Sequence, residues 1–241
     1  MSNLDSFVCS SKPVPKSLAT SQEIRDRGST FVANVFAANS PQEARAAVAY
    51  LRNVIHGQHR ASHEVAAWRC MVLKAGKSGL GGPNDFELQT GCEDDGEKYA
   101  DGRVLKVMQE ESVIDAVVVV SRWYGGIMLG PARFAHFESC AREVCRTFRL
   151  QDDVETCIAT LSSLDDILGS LRDELAKLLS SDTPTTESST TNDRPIPKNP
   201  PDYTALRETL DIKKAKRLVT ARENAIKSVK AALRKAKEKH N

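Results

Sequence analysis

The sequence lacks the features that mark membrane, secreted and zinc-binding proteins. No apolar run approaches the roughly 20 residues that a membrane-spanning helix needs, and residues 1–18 contain no apolar segment of signal-peptide length. None of the six cysteines stands in a C-x-x-C pair, so their spacing supports no zinc site. We therefore predict a cytoplasmic protein with reduced thiols.

The formal net charge of +2 is also small, but it hides an uneven distribution. Residues 1–150 are close to neutral, with 18 basic and 17 acidic side chains. Residues 151–193 hold 2 basic and 10 acidic side chains, whereas residues 202–241 hold 12 and 5. A neutral domain followed by two segments of opposite charge is therefore predicted.

One stretch dominates the neutral part. The apolar run Ile114–Val120 is too short for a helix and suits a strand that is buried on both faces. Arg122 follows it, and Gly125-Gly126 then permits backbone conformations that a side chain would forbid. Gly130-Pro131 is a typical helix start. We expect Arg122 to emerge where the central strand ends.

The segments before this stretch complete the predicted fold. Their patterns indicate a strand at 31–37, a helix that opens at Ser40-Pro41, a strand at 65–73, a glycine-rich loop at 74–84 and a helix at 99–111. The resulting order predicts an α/β sandwich with its helices packed on one face of the sheet.

Three motifs stand out in this region: SRWYGGIMLGPARF at 121–134, the acidic motif Asp94-Asp95-Gly96-Glu97, and Ala61-Ser62-His63. Together they resemble the motifs of the IMPACT family. The resemblance covers residues 29–150 and implies a compact sandwich similar to the fold of a ribosomal protein and of RNase PH. The candidate binding surface that the motifs define comprises His63, Asp94, Asp95, Glu97, Arg122, Tyr124, Gly125, Gly126, Gly130 and Arg133.

The resemblance also implies a function. Eukaryotic members of this family restrain the amino-acid-starvation response, because they compete for the activator of the kinase of initiation factor 2 alpha. We accordingly expect a non-enzymatic regulator of translation with that activator as its protein partner, and with no cofactor, metal or membrane. About 28 residues precede the first strand, too few for the RWD domain of such relatives. Either the partner binds the IMPACT-like domain and the helical tail, or this chain has lost that role.

Two other functions are compatible with the residues. A glycine-rich turn before a helix can hold phosphate, and a basic tail can bind RNA or ribosomes. Alternatively, His63, Asp94, Asp95 and Arg122 could serve an enzyme that acts on a phosphorylated ligand. The competing structural interpretation is that Arg122 bonds at least one of Asp94, Asp95 and Glu97, and this pairing is our prediction.

The chain divides into a flexible arm at 1–28, the domain at 29–150, an acidic helix at 151–180, a Ser/Thr/Pro-rich linker at 181–201 and a basic helix at 202–241. Leucines from Leu161 to Leu178 repeat at alternating spacings of three and four, as in a coiled coil. We predict that the basic helix folds back antiparallel onto the acidic one. Pairing of the leucines between two chains is the alternative.

Overall fold

The computed structural model describes residues 14–180 and 201–240. The chain divides into two compact units, Met1–Arg149 and Leu150–Asn241. The predicted linker lies outside the described residues apart from Pro201, and so does the first half of the predicted arm.

The first unit is built on a six-stranded sheet in which every pair of strands is antiparallel. Its strands are β1 (Ser17–Thr20), β2 (Ile24–Asp26), β3 (Ser29–Ala37), β4 (His63–Leu73), β5 (Phe86–Glu93) and β6 (Ala116–Trp123). They are ordered β1-β3-β6-β4-β5, and β2 also pairs with β3. The mixed α/β class predicted from the sequence is confirmed.

Two of these strands lie where the sequence predicted a flexible arm. β1 and β2 pair with β3, and Ala19 and Ile24 pack against the main core cluster. Backbone pairing with β3 and the partial burial of these two apolar side chains both favour the ordering of a segment whose polar composition gave little sign of structure.

β6 occupies the centre of the sheet and is buried on both faces. Val118 and Val120 pack against α2 (Ala100–Glu110) and α3 (Ala132–Ser180), whereas Val117 and Val119 pack against α1 (Pro41–Tyr50). Helices therefore cover both faces of the sheet, and the prediction that they lie on one face is wrong. The reason is that consecutive valines point to opposite faces, and each face needs an apolar cover.

The helix starts follow their sequence signals. Ser40 caps α1 by accepting a hydrogen bond from the Glu43 amide at 3.2 Å, and Pro41 occupies the first turn. α1 continues as a π-helical turn at Leu51–Ile55. α2 begins after Tyr99, whose φ of 71° is left-handed and turns the chain out of the acidic motif into the helix.

The two cysteines of the main core form no disulfide, and their burial makes the thiols poorly reactive. Burial raises the pKa of Cys140 to about 11 and that of Cys145 to about 12. Both thiols pack in the cluster between the sheet and α3. Since the thiolate is the reactive form, these groups behave as small apolar side chains.

The second unit contains the C-terminal part of α3 together with α4 (Thr204–Thr209) and α5 (Ile212–His240). Val154, Ile158 and Leu161 form its core with Leu206 and Ala215. This arrangement confirms that the basic segment packs on the acidic one within a single chain.

The direction of this packing differs from the prediction. Arg222 pairs with Asp165, and Lys237 pairs with Glu174 at 2.8 Å. Because later residues of α5 meet later residues of α3, the two helices run parallel, and the antiparallel prediction is wrong. Tyr203, which precedes α4 and α5, donates a hydrogen bond to the same Asp165 side chain.

Replacement of a core leucine is expected to loosen the second unit. Leu161→Ala removes a side chain that is 0% exposed, and we expect it to lower the free energy of unfolding by about 2–5 kcal/mol. Leu179→Ala is the control, since that side chain is 56% exposed and its loss should cost less than about 0.5 kcal/mol. Urea unfolding followed by circular dichroism measures both, and equal losses would contradict the assigned core.

Candidate functional site

The three motifs meet at one pocket of the first unit. The pocket has a volume of about 330 Å³. Its lining is drawn from β4, the turn before α2, β6, the glycine-rich loop at 124–131 and the start of α3. The lining residues are His63, Gly96, Glu97, Arg122, Tyr124, Met128, Leu129, Gly130 and Arg133.

Glu97 is the centre of the pocket. Its carboxylate accepts hydrogen bonds from Nη1 of Arg122 and, at 2.7 Å, from Nε of Arg133. The Nε2 atom of His63 lies 3.8 Å from Oε1 of the same carboxylate. The predicted pairing of Arg122 with the acidic motif is therefore confirmed for Glu97. Since the Glu97 and Arg122 side chains are both 6% exposed, this is a buried ion pair.

A tight turn aims Glu97 at the pocket. Asp94 accepts hydrogen bonds from the Gly96 amide at 3.0 Å through its side chain and from the Glu97 amide at 2.9 Å through its carbonyl. Gly96 has a φ of 88°, and Asp95 has a φ of 45°. Asp94 thus shapes the turn, as aspartates often do in such positions, and it does not line the pocket.

Asp95 fixes the same turn to β4. Its side chain accepts the Glu64 amide at 2.8 Å and lies 3.2 Å from Nη2 of Arg52. Its carbonyl oxygen is 2.9 Å from Nδ1 of His63. Because a carbonyl only accepts, Nδ1 carries the donated proton and Nε2 is left on the side of Glu97.

Arg122 lies inside β6, opposite Phe31 and His63 on the neighbouring strands, because the strand continues to Trp123. The expectation that it emerges where the strand ends is therefore wrong. Its guanidinium is 5.4 Å from the Phe31 ring and 5.3 Å from the Tyr124 ring. Among the described residues, its buried Nε atom has no hydrogen-bond partner.

The glycines of the loop determine its path. A Cβ atom on Gly125 would lie 1.9 Å from the carbonyl carbon of Gly28, so only glycine fits this close approach. Gly126 and Gly130 have φ values of 88° and 59°. α3 then begins at Ala132 instead of at Pro131. Gly125 and Gly126 therefore shape the site, whereas Gly130 lines the pocket.

Sequence reasoning missed the apolar tip of this loop. Ile127 is 54% exposed and Met128 is 83% exposed, beside Tyr124 at 46%. The available signal was the pair of large apolar side chains in a segment without strand or helix periodicity. Such residues have no place in the predicted core, which leaves a surface role.

A second buried carboxylate, which was not among the predicted site residues, follows His63 in the chain. Glu64 is 3% exposed and bonds Arg52 at 2.8 Å and His56 at 2.9 Å. Its hydrogen bond raises the pKa of Arg52. Trp123 packs here too, with Nε1 donating to the His59 carbonyl at 3.1 Å.

Within residues 14–180 and 201–240, no group of three or more His, Cys, Asp or Glu side chains is arranged to hold a metal ion. The helices described there include none with the length and hydropathy of a membrane span.

Comparison with known proteins matches the domain. The model of the family described as "Impact N-terminal domain" covers residues 27–145. Protein IMPACT of Xenopus laevis is 40% identical over 126 residues, which are 51% of this chain and 36% of that protein. Protein IMPACT of Homo sapiens is 37% identical over 123 residues, 50% of this chain and 34% of that protein. The match thus spans about a third of the relatives' length.

Two solved structures are also similar. One, described as "Structure of two-domain translational regulator Yih1 reveals a possible mechanism of action", is 32% identical, with a TM-score of 0.34 over 54% of this chain and 48% of that chain. The other, a crystal structure of an hypothetical protein, is 24% identical, with a TM-score of 0.42 over 55% of this chain and 59% of that one.

The buried ion pair at the pocket should be important for stability. Arg122→Ala leaves the Glu97 carboxylate without its most buried partner, and we expect a loss of about 3 kcal/mol in the free energy of unfolding. Arg45→Ala is the control: Arg45 pairs with Glu93, and these side chains are 60% and 45% exposed, so its loss should stay below about 1 kcal/mol. Denaturant unfolding measures both, and similar values would contradict a structural role for the buried pair.

Proposed function

The chain belongs to the IMPACT family through the domain at residues 27–145, and on this premise we propose that it is a non-enzymatic regulator of translation that acts by binding other proteins. In its specific form, the proposal is that the protein restrains the amino-acid-starvation kinase of initiation factor 2 alpha. It does so by competing for the activator of that kinase.

The matched region covers only part of the relatives' length, and this limits where the proposed binding can take place. Because the matched region covers 36% of one relative and 34% of another, the competition has to be assigned to parts present in this chain. These are the pocket surface of the domain and the C-terminal helices. The family resemblance in the three motifs supports the role, and the motif residues converge on one surface.

The exposed tip of the glycine-rich loop is the observation that carries the proposal. Tyr124, Ile127 and Met128 present apolar surface beside the charged lining of the pocket. An apolar patch that is bordered by polar groups is typical of a protein–protein interface. Tyrosine and methionine are also enriched at such interfaces, since they bury much area on contact.

The hydrogen bonds that the acidic motif accepts support a binding role over a catalytic one. Asp94 and Asp95 are engaged by backbone amides, and Glu97 is held by two guanidinium groups. A general acid or base needs a carboxylate that can exchange a proton with a substrate, whereas these three are occupied by structural hydrogen bonds. The alternative of an enzyme acting on a phosphorylated ligand is therefore less well supported.

Binding of RNA or ribosomes through α5 is the second candidate. Residues 212–240 contain 11 basic and 2 acidic side chains. Arg222 and Lys237 pair with α3, but Lys213, Arg217 and Lys227 are exposed. Ala215, Ile226 and Leu233 are the buried side of the helix, so helical geometry puts these three basic residues on the opposite, solvent side.

A single change at the loop tip tests the leading proposal. Met128→Asp should abolish capture of the kinase activator and relieve the restraint on phosphorylation of initiation factor 2 alpha in starved cells, because a carboxylate would interrupt the apolar contact. Leu80→Asp is the matched control, since Leu80 is 92% exposed in another glycine-rich loop. Phosphorylation that is equally low with both variants would contradict the proposal.

The second candidate predicts a different pattern. Replacing Lys213, Arg217 and Lys227 by glutamine should release the chain from ribosomes in sedimentation assays, with binding that falls steeply as salt increases. The activator should still be captured. Loss of activator capture together with ribosome binding would assign both to α5 and contradict the loop as the docking surface.

A further inference from the structure

The geometry of the pocket points to a binding site for a small phosphate monoester, a ligand with one phosphate group on an apolar or aromatic body. This inference goes beyond the protein-binding role, because it concerns a small ligand held by the charged groups inside the pocket, while Tyr124 and Met128 at the rim belong to both surfaces. It stands on three features of the lining: its charge, the way its donors are held, and its apolar rim.

The first feature is an excess of positive charge. Arg122 and Arg133 contribute two guanidinium groups, and Glu97 is the single carboxylate in the lining. With His63 neutral, the lining therefore carries one uncompensated positive charge. Arginine stays charged at all physiological pH values and forms strong hydrogen bonds to phosphate oxygens, so an anion is the complementary ligand.

The second feature is that protein acceptors already hold these side chains in place. Arg133 uses Nε for Glu97 and Nη1 for the Gly130 carbonyl at 2.9 Å, which leaves Nη2 without a partner among the described residues. His63 is fixed through Nδ1 by the Asp95 carbonyl, so its Nε2 carries no proton and can accept one hydrogen bond from a phosphate hydroxyl. Arg122 is buried to 95% and is held by Glu97 through Nη1. Donors held in this way lose little entropy when a ligand binds.

The number of nitrogen-bearing side chains at the pocket favours a phosphate ligand over a carboxylate ligand. Three nitrogen-bearing side chains from β4, β6 and α3 border the pocket. A phosphate monoester offers three terminal acceptor oxygens, whereas a carboxylate offers two in one plane. Gly130 adds no side chain, and a Cβ atom there would meet nothing within 4 Å, so the approach to the start of α3 is open.

The third feature is the rim. Tyr124, Met128 and Leu129 line the same pocket as the charged groups. A volume of about 330 Å³ exceeds what a bare phosphate needs and lies at the lower end of small-molecule pockets, roughly 300–1,000 Å³. The ligand therefore has a body of about the size of one ring, which contacts these apolar side chains.

Binding of phenyl phosphate to the full chain tests the inference. Calorimetry at constant ionic strength should show one site with a dissociation constant near or below about 1 mM, and benzoate should bind roughly tenfold more weakly. Arg133→Gln should weaken phenyl phosphate binding by roughly tenfold or more. Arg133→Lys, which retains the charge but not the planar fork, should give a smaller loss.

Arg103→Gln is the matched control. Arg103 also pairs with a glutamate at 2.7 Å and lies 4.6 Å from the Phe134 ring, where Arg133 lies at 4.4 Å. It does not line the pocket, so this variant should bind phenyl phosphate like the parent chain. Thermal unfolding of every variant identifies any that do not fold. An equal affinity of the folded Arg133→Gln and Arg103→Gln variants, or benzoate binding as tightly as phenyl phosphate, would overturn the inference.

Discussion

A single buried carboxylate organises this domain. Glu97 is 5% exposed, and a carboxylate in that position is unstable unless cations and hydrogen-bond donors surround it. Arg122 from the central strand and Arg133 from α3 provide them. The acidic turn, β6 and α3 are thereby fixed at one point, and the positions of the other motif residues follow from that constraint.

The site around Glu97 has two parts that suit different ligands, a charged interior and an apolar rim. The interior holds guanidinium groups whose orientation is set by Glu97, and this suits recognition of an anion. The rim carries the exposed side chains of Tyr124, Ile127 and Met128, which suit contact with a protein. One surface can therefore serve a protein partner while the pocket beneath it takes a small ligand, and the two roles can be tested by different substitutions.

Much of the domain could be predicted from local patterns. The run of four valines predicted the central strand β6, and Ser40-Pro41 predicted the start of α1. Both predictions were possible because these signals act within a few residues. The paired arginine was also predictable, since a guanidinium among apolar residues needs an acid. Which acid could not be known: the choice of Glu97 over Asp94 and Asp95 depends on a left-handed turn at 95–96.

Features that depend on distant partners escaped prediction. β1 and β2 are strands only because β3 offers them a pairing edge. The parallel run of α5 along α3 is seen in the pairing of Arg222 with Asp165 and of Lys237 with Glu174, whereas charge composition alone permits either direction. The exposed Met128 could be placed on a surface only after the core was known.

Hydrogen exchange of Glu97→Gln tests the central role of this carboxylate most directly. The substitution keeps the shape of the side chain but removes the charge that both arginines bind, so the account predicts faster amide exchange in the loop 124–131, at the end of β6 and in the first turns of α3. Exchange in α5 should be unchanged, because its contacts lie in the second unit. Unchanged protection around the pocket would contradict the account, since it would show that packing alone holds these elements together.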